Sequence, residues 1–96
     1  MDGHAVISAD ILARYAGDAA REVTGVRALV PSQLPRHRGV RILDEGERVE
    51  LHLAVTWGTH IPTLATDVQR RVREYLRSMA NAEVAAVDVV VDQVVS

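Results

Sequence analysis

The sequence predicts an α+β fold in which two helices pack on one face of a small mixed β-sheet, in the order (β)-α-β-β-α-β. Three observations predict it. Two segments, near residues 9–24 and 62–81, carry apolar residues at the period of an amphipathic helix. Val49–Thr56 alternates apolar and polar residues at the period of a half-buried strand. The stretch Val84–Val95 is dense in β-branched valine. Each apolar stripe is buried if the helices lie across the sheet. The 96 residues supply material for one core, so 1–96 is read as a single domain.

In the first helix Leu12, Ala16, Ala19, Ala20 and Val23 fall on one side, with Arg14, Asp18 and Arg21 on the other. Ser8 is placed as its N-cap, Ile7 and Leu12 as a hydrophobic staple, and Gly25 as a left-handed C-terminal cap that ends it near Thr24. Short strands are expected at Ala5–Ile7 and Val26–Val30. Pro31, Pro35 and Gly39 make the following segment a surface loop. Val40–Leu43 and Val49–Thr56 flank Asp44-Glu45-Gly46-Glu47 and read as a hairpin. Its longer strand sets Val49, Leu51, Leu53 and Val55 against Glu50, His52, Ala54 and Thr56.

Trp57-Gly58-Thr59-His60 leads to Ile61-Pro62, where proline opens the second helix because its missing N–H would have no intrahelical partner there. Leu64, Val68, Val72, Tyr75 and Met79 are expected on the inner face, Arg70, Arg73 and Arg77 on the opposite one, and an end near Asn81. The last strand puts Val87, Val89 and Val91 on one side and Asp88 and Asp92 on the other.

Composition narrows the function. The chain has no cysteine, which excludes disulfides and thiolate chemistry. No run approaches the ~20 apolar residues needed to cross a bilayer, and Met1-Asp2-Gly3-His4 does not resemble an export signal, so a cytoplasmic protein without direct membrane insertion is expected. A net charge of −2 gives no electrostatic case for nucleic acid. His4, His37, His52 and His60 lack metal-ligand spacing; His52 suits a polar contact across the sheet, and His60 a role in the turn before Pro62. The hydroxyls sit in caps, turns and helix flanks, and Asp44-Glu45 lies in a solvated turn. No catalytic residue, metal site or cofactor is expected.

The concentrated feature is the arginine cluster Arg70, Arg71, Arg73 and Arg77, with Glu74 spaced to pair with Arg70 or Arg77. It reads either as an ordinary solvated helix face or as a docking surface for acidic protein, phosphate or lipid headgroups. Arg70, Arg73 and Arg77 are therefore candidate partner-binding residues. Trp57 joins them, although packing at the turn on the sheet's edge is the reading favoured for it. Within the chain, Asp44, Glu45, Glu47, Asp88 and Asp92 complement the arginines and suggest head-to-tail self-association.

Several of these residues carry a resemblance. Ile7-Ser8, Leu12, Ala16, Ala19-Ala20, Glu22-Val23 and Gly25-Val26, then Gly39-Val40, then Val55-Thr56-Trp57-Gly58-Thr59-His60-Ile61-Pro62, and finally Val84, Val87, Asp88, Val89 and Val91 resemble the pattern of the alkaline shock protein family, also called the envelope stress response family, across residues 6 to 94. Trp57 stands where that family more often has tyrosine, and the proline loop where many members carry a glycine-rich or longer insertion. The resemblance implies a non-enzymatic cytoplasmic protein linked to envelope stress, in some members held at the inner membrane face by a separate membrane-anchored partner. It brings no catalytic residues. A competing class, a small RNA-binding α+β domain, lacks a Gly-x-x-Gly clamp and stacking aromatics in this sequence.

Overall fold

A computed structural model describes residues 7–31 and 38–96. The elements are α1 (Ala9–Arg21), β1 (Val26–Leu29), β2 (Val40–Leu43), β3 (Arg48–Thr56), α2 (Ile61–Ala80) and β4 (Ala86–Val95). The expected strand at Ala5–Ile7 falls, apart from Ile7, outside the described residues, as do His4 and His37.

β3 organises the sheet. Along one edge it pairs antiparallel with β1 and β2, and along the other it pairs parallel with β4 over its whole length. β1 and β2 lie end to end, and the exchange happens at His52, whose carbonyl accepts from Val30 N–H and whose N–H donates to the Gly39 carbonyl, both at 2.8 Å. The sheet is thus mixed, as the sequence predicts. The alternation in β3 explains its burial: Val49, Leu51, Leu53 and Val55 are sealed beneath the helices, while Glu50, His52 and Thr56 are half-buried on the face that no helix covers.

Ser8 caps α1 by accepting from Ile11 N–H at 3.2 Å. The helix ends at Arg21, earlier than Thr24. Glu22 N–H turns back to the Ala19 carbonyl and Val23 N–H to Ala20, so the last turn tightens without a left-handed residue. Gly25, at φ +100°, instead leads into β1 and is not the helix cap. Gly17 lets α1 approach the sheet closely, since a Cβ there would sit 2.9 Å from the Leu29 side chain.

α2 follows the i, i+4 spacing throughout, and its inner stripe is Leu64, Val68, Val72 and Leu76. This departs from the expected Tyr75 and Met79. A row of i+4 steps drifts around the helix, so Leu76 continues it; Tyr75 moves to the seam with α1 and Met79 is 51% exposed. His60 caps the start through the Thr63 N–H, and Asn81 closes the end in the left-handed conformation at φ 50°.

Two substitutions test this packing by urea unfolding. Leu76→Ala should cost about 2–5 kcal/mol, the range for emptying a sealed aliphatic site. Gly39→Ala should cost about 2 kcal/mol, because Gly39 holds φ +86° and a Cβ would meet Val30 backbone atoms at 2.9 and 3.0 Å, which have little freedom to move.

Candidate interaction surface

Once the inner stripe of α2 is fixed, its remaining residues divide between two flanks. The flank toward α1 is a structural seam. Tyr75 meets Tyr15 edge-on with ring centroids 5.9 Å apart, Arg71 lies 5.7 Å above the Tyr75 ring, and Arg71 Nε donates to Glu22 at 2.9 Å. Arg71 is thereby withdrawn from the cluster expected from sequence and ties the helices together.

The other flank carries Arg70, Arg73 and Arg77, all exposed. Arg70 pairs with Asp67 at 3.2 Å and Arg77 with Glu83 at 3.7 Å; Glu74 forms an ion pair with neither, contrary to the expectation. Arg73 pairs with no described residue. These ion pairs are open to solvent, with the guanidinium-bearing side chains 65% and 68% exposed, and cost little to separate. With Thr66, Gln69 and Glu74 the three arginines line a shallow depression of about 220 Å3. Gln69 Nε2, in the middle of the flank, donates to the Val87 carbonyl at 3.1 Å, which places the arginines beside the first half of β4.

Trp57, the fourth candidate, is not near them. Its backbone N–H donates to the Val95 carbonyl at 2.7 Å, at the far end of the sheet, and its side chain is 75% exposed. The turn-packing role favoured from sequence is therefore overturned, because the β3 strand ends with the indole pointing past the core. Val94 and Ile61, also exposed, belong to the same end of the molecule.

The helix-free face of the sheet holds a polar network that sequence reasoning saw only in outline. His52 Nδ1 lies 2.8 Å from Asp92 and Nε2 3.2 Å from Glu50, which also accepts from Arg41 at 3.3 Å; Arg48 pairs with Asp88 at 3.6 Å. Burial, the largest single influence on His52, lowers its affinity for a proton, but Asp92 and then Glu50 together outweigh it and raise the pKa above the ordinary 6.5. The polar contact across the sheet expected for His52 is made by Asp92, 40 residues away, whose place required the parallel register of β4 to be known; Glu50 adds a second contact from the same strand. Among the described residues no three acidic or histidine side chains form a metal-binding group, and no helix is long and apolar enough to cross a membrane.

With this geometry in view, comparison with known proteins is decisive for the family. The profile of the alkaline shock protein 23 family, described as having a cell envelope-related function, matches residues 1–96. The chain belongs to this family. The Bacillus subtilis protein YqhY, itself described as uncharacterized, is 25% identical over 99 residues, a match covering 91% of this chain and 73% of that protein. Among solved structures, the cadmium form of a MamM CTD variant superposes with a TM-score of 0.55 at 15% identity, covering 90% of this chain and 98% of the other. A second MamM CTD variant gives 0.54 at 14% identity, covering 88% and 95%. These likenesses show the fold alone.

The His52 network makes a pH prediction. A raised folded-state pKa contributes stability that is fully present below the unfolded value near 6.5 and is lost as pH rises through the folded value. His52→Gln should therefore be less stable than the native chain at about pH 6 and nearly equal to it at about pH 9 in urea unfolding. In an NMR titration of the native chain His52 should titrate above 6.5, and Asp92→Asn should bring it down; a native value below 6.5 contradicts the assigned network.

Proposed function

We propose that this chain is a non-enzymatic docking and assembly domain of the cell envelope stress response, held at the cytoplasmic face of the membrane through a separate membrane-anchored protein. The observation that supports this reading best is the row of exposed guanidinium groups, Arg70, Arg73 and Arg77, on the flank of α2 that the core does not use. Guanidinium forks engage carboxylates and phosphates in pairs of hydrogen bonds, which suits recognition of an acidic protein surface. The membership of an envelope-related family supplies the cellular setting. Head-to-tail self-association would use the same arginines against Asp44, Glu45 and Glu47, since Asp88 and Asp92 already pair with Arg48 and His52.

A photo-crosslinking amino acid at position 73 in living cells tests the reading. The expected product is an adduct in the membrane fraction with one protein that contains a transmembrane segment, strongly reduced when Arg70→Ala and Arg77→Ala are added. Adducts only with RNA, or only with soluble proteins and indifferent to those substitutions, reject it.

A further inference from the structure

The terminal part of β4 is out of step with the rest of the strand. Up to Leu53 and Val91 the two central strands advance together, but Ala54 then stands opposite Gln93, so Asp92 is an extra residue with no partner in β3. The bulge reverses the alternation that follows it. In a regular ladder Gln93 would share the helix-covered side with Val55, and Val94 the uncovered side with Thr56; with the extra residue, Val94 pairs with Val55 and Val95 with Thr56. Burial decides the register only before the bulge, where Val87 is 3% exposed and sealed in the core. Beyond it Gln93 is exposed and Val94 is 47% exposed, so the core gains little from either arrangement. Another contact has to hold the extra residue.

That contact is with His52. The Asp92 carboxylate lies 2.8 Å from His52 Nδ1, and among the described residues the imidazole is the only cation it can pair with. Around the ring stand the carboxylates of Glu50, Asp88 and Asp92, but the arginines are taken: Arg41 of β2 serves Glu50 at 3.3 Å, and Arg48 of β3 serves Asp88 at 3.6 Å. On the β1 side Val30 and Ala28 are level with His52 and Ala54, and Arg27, the charged residue of that strand, lies further along at its irregularity. Both ring nitrogens face carboxylate oxygens, Nδ1 that of Asp92 and Nε2 that of Glu50 at 3.2 Å, and only the doubly protonated ring donates to both. A neutral ring has a single N–H and turns a lone pair to the other carboxylate. The cluster then holds more anions than cations, and Asp92 is the anion left over.

We propose that His52 is a proton-operated latch on the β4 bulge: its protonated ring holds Asp92 as the extra residue, and loss of that proton lets Gln93, Val94 and Val95 leave the bulged register. The regular ladder, one residue away, is the competing arrangement. It moves the Trp57 N–H from the Val95 carbonyl, its partner at 2.7 Å, to that of Val94. A proton on the uncovered face thereby sets the shape of the end of the molecule that carries the exposed Trp57 and Val94. His52 can do this without disturbing β3, because its backbone is fixed on the other margin, its N–H by the Gly39 carbonyl and its carbonyl by the Val30 N–H, both at 2.8 Å. The ring changes partners while the strand stays in place.

The test is an NMR titration of the full chain from about pH 5 to about pH 9, which brackets the ionisation of histidine. The His52 ring is followed together with contacts between strands: Ala54 to Gln93 and Thr56 to Val95 report the bulged register, Ala54 to Asp92 the regular one, and Val49 to Val87 the ladder before the bulge. As pH rises through the His52 midpoint, above 6.5, the ratio of bulged to regular register should fall about fivefold while Val49 and Val87 stay paired, the effect of one ion pair open to solvent. Asp92→Asn should show the lowered ratio already at about pH 5, with no further change on titration. Glu50→Gln should keep the bulge at that pH, because Asp92 retains its imidazolium, and release it at a lower midpoint than the native chain.

A bulged register that persists through the His52 titration, or that survives undiminished in Asp92→Asn, overturns the latch, since the backbone alone then holds the extra residue. Loss of the Val49 to Val87 contact in step with the others also overturns it, because the event is then opening of the whole sheet. The native titration decides by itself, so a poorly folded Asp92→Asn variant does not rescue the proposal.

Discussion

The molecule depends on the pairing of one strand. β1, β2 and β4 all hydrogen-bond to β3 and to no other strand among the described residues, so its loss would leave no sheet. The same strand contributes Val49, Leu51, Leu53 and Val55 to the one core cluster that residues of both helices complete. Since side chains alternate strictly, a slip of one residue in its register would carry those four into water and Glu50 and His52 into the core. The cost of such a slip is several buried aliphatic groups at about 1.5–3 kcal/mol each, which is comparable with the whole stability of a small domain. Register in β3 is consequently specified by the core, and everything positioned by that register inherits its precision.

The polar network on the uncovered face is the first beneficiary. His52 reaches Asp92 only because Leu51 and Val89 are register partners in the parallel ladder. The seam between the helices is a second case. Glu22 lies just past the end of α1 and Arg71 in mid-α2, yet they meet because α1, over β1 and β2, and α2, over β4, pack side by side on one face of the sheet. Neither contact adds much by itself, being partly exposed. Their value lies in fixing how the helices sit relative to the sheet, and so where the exposed arginines stand.

Much of this was legible in the sequence because it is written locally. Ser8 before an apolar-periodic run announced the α1 cap, Ile61-Pro62 announced α2, and the alternation from Val49 to Thr56 announced β3. The arginine flank followed from helical period alone, and the structure does place Arg70, Arg73 and Arg77 together. What was not legible is non-local. Alternation says which face of a strand is buried and nothing of its neighbour, so the parallel partnership of β3 with β4 and the end-to-end placement of β1 and β2 were invisible. Tyr75 and Met79 were assigned inward by reading a fixed face, whereas the packed stripe drifts toward Leu76. Trp57 was misjudged because a large apolar side chain at a strand end is ordinarily covered, and none of the described residues covers it here.

The two sides of the sheet differ in a way that bears on how many neighbours it accommodates. On one side the backbone is interrupted at His52, where four residues of β1 give way to four of β2; on the other, β4 runs unbroken for ten. An interrupted margin offers no template long enough to hold another strand along its length, and a continuous one does. Among the described residues the sheet therefore offers one continuous margin, that of β4.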